Sequence, residues 1–247
     1  MRASAIEFRL RLVIIAVIVV LGFWSPWIET LHIGRRISLL EWLALELSRT
    51  GLANFTVATP AVIIAGTLTA ALGAALRVWG TAYLGSGTVN HLQMQAGAVM
   101  ADGPYRYVRN PLYLGTEFTM LATAFIMPPT GAVFTMVLLS VFLLRLILGE
   151  EAFLGSRLGD PYTTYLGAVP RIVPRLRTNL KASGYRPRWF TALLAELYPL
   201  GVLGTLAALS WKYDNRLMIR AILVSFGVSL VARALQPQAK TKTSALD

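Results

Sequence analysis

Residues 103–115 carry a dense group of side chains that could bind a small charged molecule. The segment reads Gly-Pro-Tyr-Arg-Tyr-Val-Arg-Asn-Pro-Leu-Tyr-Leu-Gly and so holds two arginines and three tyrosines. A guanidinium group binds a carboxylate through two parallel hydrogen bonds, and a tyrosine ring stacks on flat groups or attracts a cation. These residue types predict a binding site, and residues 103–115 are called the signature segment below.

A second polar group follows farther along the chain. It comprises Arg145, the adjacent acids Glu150 and Glu151, and a later segment with Tyr162, Tyr165 and Arg171. We expect the two acids to close an apolar helix, where carboxylates oppose the negative end of the helix dipole. This unfavourable position predicts that the acids have a partner or a ligand.

The composition predicts that lipid surrounds much of the chain. Of the 247 residues, 55% are hydrophobic and 14% are charged, and the mean hydropathy is +0.59. The chain has no cysteine and two histidines, which excludes thiolate chemistry and predicts no metal site. We interpret the net charge of +11 as contact with anionic lipid and not with nucleic acid, because the basic residues sit beside apolar runs.

Apolar runs predict an all-α membrane protein with about six transmembrane helices and a cytoplasmic pocket built from connecting segments. A helix needs roughly 20 residues to cross a hydrocarbon layer of about 30 Å. The predicted spans are residues 10–28, 57–79, 112–127, 130–149, 190–211 and 216–235. Pro128 and Pro129 should reverse the chain, so the signature segment and the acidic pair are expected on one side of the membrane. Residues 1–247 are interpreted as a single integral membrane domain.

Basic residues near the spans predict the orientation. They lie at or beyond the outer ends of the first and last spans, at Arg2, Arg9, Arg11, Arg233, Lys240 and Lys242. By the positive-inside rule, both termini and the signature segment face the cytoplasm, which suggests the cytoplasmic membrane. Leucines at helical spacing within residues 35–50 predict a short helix in the interface.

The signature segment resembles the Gly-Pro-Tyr…Arg-His-Pro-x-Tyr-x-Gly motif of integral membrane methyltransferases, which include isoprenylcysteine carboxyl methyltransferase and the phospholipid N-methyltransferases. The acidic pair, the tyrosines at 162 and 165 and a proline-bracketed, strand-like segment at 169–174 resemble the later part of the same family in the same order. The resemblance covers roughly residues 66–175, and helices at about 190–235 look like an addition. Asn110 stands where the family has histidine, and asparagine cannot become a cation.

The resemblance implies an enzyme that uses S-adenosylmethionine to methylate a lipid-like or prenylated amphipathic acceptor. Cofactor contacts are expected from Tyr105, Arg106, Asn110, Pro111, Tyr113, Leu114, Gly115, Glu150, Glu151, Tyr162, Tyr165 and Arg171. Catalytic roles are expected for Arg109, Glu117, Arg145 and Glu151. A carboxylate acceptor needs a cation such as Arg109 or Arg145, whereas an amine needs a base such as Glu117 or Glu151. The sequence leaves both open.

Ionisable residues inside spans usually face a partner or a cavity. Glu117 and Arg145 lie in neighbouring predicted spans, so we expect a structural ion pair between them slightly in preference to direct chemistry. Glu196 is expected at interface depth, and His91 could line the substrate entrance.

Two other functions stay open. A membrane reductase of the sterol-reductase type would use NADPH, whose phosphates the basic residues 171–188 could bind. A non-enzymatic scaffold or a transporter would leave the signature segment without a role, and no broken helices in repeated positions support transport. The acidic pair and the order of the motifs favour the methyltransferase.

Overall fold

A computed structural model of the chain describes residues 2–85, 99, 101–182 and 184–235. These residues form helices and connecting segments without a strand, which confirms the predicted all-α class. His91, Lys240 and Lys242 lie outside the described residues. The α-helices are α1 Ala5–Arg9, α2 Arg11–Trp24, α3 Trp27–Thr30, α4 Leu39–Arg49, α5 Phe55–Leu84, α6 Pro111–Ala124, α7 Pro129–Leu158, α8 Asp160–Ala168, α9 Trp189–Ala195, α10 Leu197–Leu209 and α11 Asn215–Leu235. Short 3-10 helices lie at Gly103–Arg106 and Ser210–Lys212.

Four helical stretches in the described residues are long and apolar enough to cross a membrane. They are Arg11–Thr30, Phe55–Leu84, Pro129–Leu158 and Asn215–Ala232. Helices α9 and α10, with the 3-10 turn that follows, add a fifth span if they are counted as one crossing bent by 72°. Helix α6 has 14 residues, which makes it about 21 Å long and shorter than a hydrocarbon layer. The predicted count of six is therefore not confirmed.

Helix α7 continues through the acidic pair to Leu158, so the prediction that these acids close a helix is wrong. Gly149 lies inside the helix, where its missing side chain leaves room for Ala3: a Cβ on Gly149 would lie 3.0 Å from the Ala3 carbonyl oxygen. The helix ends at Gly159, whose φ of +61° suits glycine. Arg157 in the last turn complements the helix dipole.

Small residues in α5 allow α6 to pack closely against it. Gly66, Ala70, Gly73 and Ala74 are all buried. A Cβ on Gly73 would lie 2.7 Å from the backbone nitrogen of Thr119 in α6. Helix α6 also packs against α7, which confirms the predicted hairpin. The start of α6 and the acidic pair of α7 therefore lie at the same end of this hairpin.

The predicted short helix within residues 35–50 is present as α4. Ser38 caps it, because its side chain accepts from the Glu41 backbone while the Glu41 carboxylate accepts from the Ser38 backbone N–H at 2.8 Å. Leu40 and Ala44 are buried against α5. This helix is thus packed into the bundle.

The C-terminal helices share a hydrophobic core with α5 and α6. The buried members of this core are Ala70, Ala122, Ile126, Val202, Leu206, Met218 and Ile222. Helices α10 and α11 therefore support the helix that begins in the signature segment.

Candidate functional site

Glu151 is the centre of a buried polar cluster at the end of the α6–α7 hairpin. Its side chain is 8% exposed. One carboxylate oxygen accepts from Arg171 Nε at 3.0 Å and lies 2.9 Å from Arg171 Nη2, and the other accepts from Asn110 Nδ2 at 3.1 Å. Arg109 Nε lies 3.6 Å from the second oxygen. Arg109, Asn110, Glu151 and Arg171 are called the Glu151 cluster below.

Local backbone structure explains why these distant residues meet. Pro111 occupies the first position of α6, where a missing N–H costs nothing, and this places Asn110 at the start of the helix. The signature segment runs beside the chain that follows α8, since Arg109 N donates to the Pro170 carbonyl at 2.9 Å and Arg175 N donates to the Tyr107 carbonyl at 3.0 Å. The expected strand-like piece at 169–174 is an irregular segment. It makes the first of these hydrogen bonds, and Arg175, the next residue, makes the second.

Glu150 has different partners from its neighbour. The Tyr113 hydroxyl donates to Glu150 Oε2 at 2.8 Å, which joins the first turn of α6 to α7. Arg11 of α2 interacts electrostatically with both Tyr113 and Glu150. Arg11 was predicted only as an orienting charge, because the sequence does not show that α2 passes this acid.

Three predicted tyrosines are buried in a packed layer beside the cluster. The Tyr165 hydroxyl donates to the Tyr105 carbonyl at 2.8 Å, and the rings of Tyr162 and Tyr165 lie 6.0 Å apart. Burial, with a smaller contribution from the Glu151 carboxylate, raises the pKa of Tyr162 to about 12. Burial also raises the pKa of Tyr165 and Tyr105. All three hydroxyls therefore stay neutral at physiological pH.

Other predicted signature residues hold the segment in place. Arg106 Nε donates to the Leu180 carbonyl at 3.0 Å, away from the Glu151 cluster. Leu114 N donates to the Asn110 carbonyl at 3.0 Å within the first turn of α6. Gly115 faces α5, where a Cβ would lie 2.6 Å from Arg77 Cγ and 3.0 Å from the Gly73 carbonyl oxygen. The structure thus gives Gly115 a helix-packing role.

Glu117 and Arg145 do not join the Glu151 cluster, and the predicted ion pair between them is wrong. Glu117 accepts a hydrogen bond from Ser140 of α7. Arg145 Nη2 lies 2.7 Å from Glu7 Oε1. Helix α1 supplies this acid because the N-terminal segment docks on α7, where Ala3 N donates to the Arg145 carbonyl at 3.0 Å.

An ion pair that was not predicted connects the C-terminal helices to α5, and through Arg77 to α6. Arg77 Nε lies 2.5 Å from Glu196 Oε2, and Glu196 is fully buried at the break between α9 and α10. Glu196 is therefore shielded by protein, and its expected position at interface depth stays a prediction. Arg77 Nη1 also donates to Thr116 Oγ1 of α6 at 2.7 Å. A lone arginine in the second apolar run was the available signal.

Comparison with known protein families finds a similarity in the central part of the chain. Residues 61–160 match the family of phospholipid methyltransferases. No curated protein and no solved structure matches the chain. The matched residues include the signature segment and the acidic pair, whereas Arg171 and helices α9–α11 lie beyond them. Residues 61–160 are therefore similar to the phospholipid methyltransferase family, which confirms the resemblance indicated by the two motifs.

Proposed function

We propose that the chain is an S-adenosylmethionine-dependent methyltransferase that modifies a lipid-like or prenylated amphipathic acceptor at the membrane. The observation that carries this proposal is the Glu151 cluster, in which the acidic pair of α7 meets the signature segment. The family match supports methyl transfer, because it covers Arg109, Asn110 and Glu151.

The residues of the site fit the charged groups of the cofactor, which has an ammonium, a sulfonium and a carboxylate. Glu150 and Glu151 offer carboxylates to the cationic groups, and Arg109 and Arg171 offer guanidinium groups to the carboxylate. Two buried polar atoms of the signature segment, Arg109 Nε and Tyr105 Oη, have no hydrogen-bond partner within the described part of the chain. Buried polar atoms that lack a hydrogen bond are costly, so these two atoms favour a site that a ligand completes.

The chain needs no covalent nucleophile for this reaction. S-adenosylmethionine supplies a methyl group on a positively charged sulfur, and the acceptor's lone pair forms the new bond to carbon while the carbon–sulfur electron pair stays on sulfur. Because the displacement occurs in line, the contribution of the residues is to hold donor and acceptor close together and to exclude water. Arg171 and Asn110 fix the Glu151 carboxylate for this task.

The acceptor's chemistry decides which residue acts on it. A carboxylate acceptor releases no proton and needs a cation, for which Arg109 is in place while Arg145 is paired with Glu7. An amine acceptor must release one proton, and Glu151 is the acid within the cluster that could take it. The apolar spans around the hairpin favour an acceptor that arrives from the bilayer.

A binding experiment tests the cofactor assignment. The full chain is purified in detergent and titrated by calorimetry with S-adenosylhomocysteine, the product form of the cofactor, and separately with NADPH. We expect binding of S-adenosylhomocysteine and no binding of NADPH. Binding of NADPH alone would favour the reductase, and binding of neither compound to monodisperse protein would contradict both enzyme assignments.

A further inference from the structure

The chain between α8 and α9 exposes basic and apolar side chains close together. Residues 161–195 contain six basic residues and neither aspartate nor glutamate. Leu176, which stands between two arginines, is 96% exposed, and Val173 is 77% exposed. Exposed apolar groups rimmed by charge mark surfaces that bind a protein or a membrane. Residues 172–182 and 184–190 are called the basic segment below.

Hydrogen bonds to its backbone hold the basic segment against the rest of the protein. They attach it at three points along its length, to the signature segment and to α5. The bonds run from Arg175 N to the Tyr107 carbonyl at 3.0 Å, from Arg106 Nε to the Leu180 carbonyl at 3.0 Å and from Arg188 N to the Ala82 carbonyl at 2.8 Å. The exposed leucine and valine therefore belong to an anchored chain and not to a free loop.

The start of α9 indicates the depth of the basic segment in the membrane. Trp189 and Phe190 are the first residues of this helix, and Phe190 is 75% exposed. Helix α9 opens the apolar stretch that it forms with α10, and tryptophan is enriched at the level of the lipid headgroups. The basic segment leads into this helix and so lies at the membrane–water interface. There, apolar side chains can enter the bilayer while neighbouring cations stay in the headgroup layer.

The charge of the basic segment favours anionic headgroups over neutral ones. Arg177, Lys181 and Arg186 are exposed and form no ion pair with any residue that the structure describes. A neutral lipid gains only the apolar contact, whereas an anionic lipid is also attracted to these cations. An acidic protein could pair with the cations as well, but the apolar helices that follow directly favour lipid.

We propose that the basic segment binds the anionic headgroups of the leaflet beside the signature segment, with Leu176 and Val173 entering the boundary of the acyl chains. The net charge of the chain predicts contact with anionic lipid but names no surface, whereas the basic segment is one anchored surface. Arg171, the residue before it, contacts Glu151, so this lipid contact lies directly beside the Glu151 cluster. The inference does not depend on which reaction the chain catalyses.

A fluorescent label tests this contact in the full chain. Because the chain has no cysteine, Leu176→Cys provides one attachment site for a fluorophore that reports the polarity around it. The labelled protein is reconstituted in nanodiscs of phosphatidylcholine with increasing amounts of phosphatidylglycerol, an anionic lipid. Emission wavelength, and quenching by lipids with a nitroxide at the top of the acyl chain, show whether the label enters the bilayer. Val173→Cys supplies a second labelling position if the first protein is not monodisperse.

Two triple variants separate the effect of charge from that of apolar insertion. The first neutralises three cations of the basic segment, by Arg177→Gln, Lys181→Gln and Arg186→Gln. The matched control removes the same number of arginines and lysines from exposed positions, by Arg35→Gln, Lys212→Gln and Arg216→Gln. These control positions lie at the other end of the helices, where Gly34 meets Thr130 and Asn215 donates to the Ile126 carbonyl.

We expect the Leu176 label to move from water into the bilayer as phosphatidylglycerol increases. Salt at about 1 M should reverse this movement, since it shortens the screening length to about 3 Å. The variant of the basic segment should need about fivefold or more phosphatidylglycerol for half of the change, and the control should stay within about twofold of the original chain.

Three results would overturn the inference and leave the proposed function standing. The label could stay in water in every lipid mixture, which would point to an acidic protein partner instead. It could enter neutral and anionic discs equally, which would remove the role of the lipid charge. The two triple variants could also respond alike, which would show that the cations of the basic segment do not select the lipid.

Discussion

The side-chain amide of Asn110 donates to Glu151 Oε1 at 3.1 Å and, through the same nitrogen, to the Arg171 carbonyl at 3.1 Å. Asn110 therefore connects the start of α6 to both Glu151 of α7 and the segment that follows α8. Histidine occupies this position in the family motif that the segment resembles, and a neutral imidazole can supply one of the two hydrogen bonds.

Asn110→Leu should impair the site much more than Asn110→His. Leucine leaves the Glu151 carboxylate without this donor, and a hydrogen bond to a charged group contributes about 1.5–3 kcal/mol. We expect the leucine variant to lose on the order of 10- to 100-fold in affinity for S-adenosylhomocysteine, with the histidine variant within about threefold of the original chain. Equal affinities for all three proteins would show that Asn110 does not support the site.

Glu151→Gln should lower cofactor affinity or turnover by about tenfold or more, equivalent to roughly 1.4 kcal/mol. The reason is the loss of the negative charge that faces Arg171 and Arg109. Glu46→Gln is the matched control, because Glu46 lies on α4 and its partner Arg49 is exposed. Unchanged binding and turnover in monodisperse Glu151→Gln protein would show that the Glu151 charge supports only the structure and not cofactor binding or catalysis.

Gly115→Ala should destabilise the protein. The added Cβ meets Arg77 and the Gly73 backbone at 2.6–3.0 Å, and overpacking of this kind costs about 1–3 kcal/mol. Gly204→Ala is the control, since a Cβ on Gly204 would meet no atom within 4 Å and alanine favours a helix over glycine. Thermal unfolding in detergent should rank the two variants on opposite sides of the original chain. If the Gly115→Ala protein is as stable as the original chain, the contact between α5 and α6 at Gly115 is looser than these distances indicate.

Glu196→Gln should destabilise the fold by about 3–5 kcal/mol, because it leaves the buried Arg77 charge without its partner. The double replacement Arg77→Met with Glu196→Leu removes both charges and should recover most of the thermal stability. Comparing the thermal stability of the two proteins distinguishes the cost of an unpaired buried charge from the loss of the ion pair itself. If Glu196→Gln is as stable as the original chain, the ion pair does not fasten the C-terminal helices to α5.

The membrane class and the meeting of the two motifs could be predicted from the sequence for physical reasons. Apolar runs report the lipid environment directly, and Pro128 with Pro129 marks the reversal that brings the signature segment beside Glu151. The end of α7 could not be predicted. The predicted span stops at Gly149, whereas the helix continues to Leu158 and Ala3 packs where a side chain on Gly149 would lie. Hydropathy also predicted a transmembrane span at residues 112–127, but α6 is too short to be one. Its apolar residues pack partly against α5 and α7, so their hydropathy reports contact with protein as well as with lipid.

The ion pairs could not be predicted for a different reason. The sequence shows that Arg77, Arg145 and Glu196 are ionisable residues in apolar surroundings and so need partners. It does not show which distant helix faces each one. Arg145 pairs with Glu7 because α1 folds back on α7, and Arg77 pairs with Glu196 because the fifth apolar run bends at that acid.

The transfer of labelled methyl groups tests the central claim most directly. The purified chain is incubated with S-adenosylmethionine labelled on its methyl carbon, first with a total lipid extract and then with small soluble amines, thiols and carboxylic acids, beside the Glu151→Gln protein. We predict label in the lipid fraction, at least about tenfold less with the variant, and none in the soluble compounds. Label found only in soluble compounds would contradict the amphipathic acceptor, and no transfer to any acceptor by protein that binds the cofactor would contradict the methyltransferase itself.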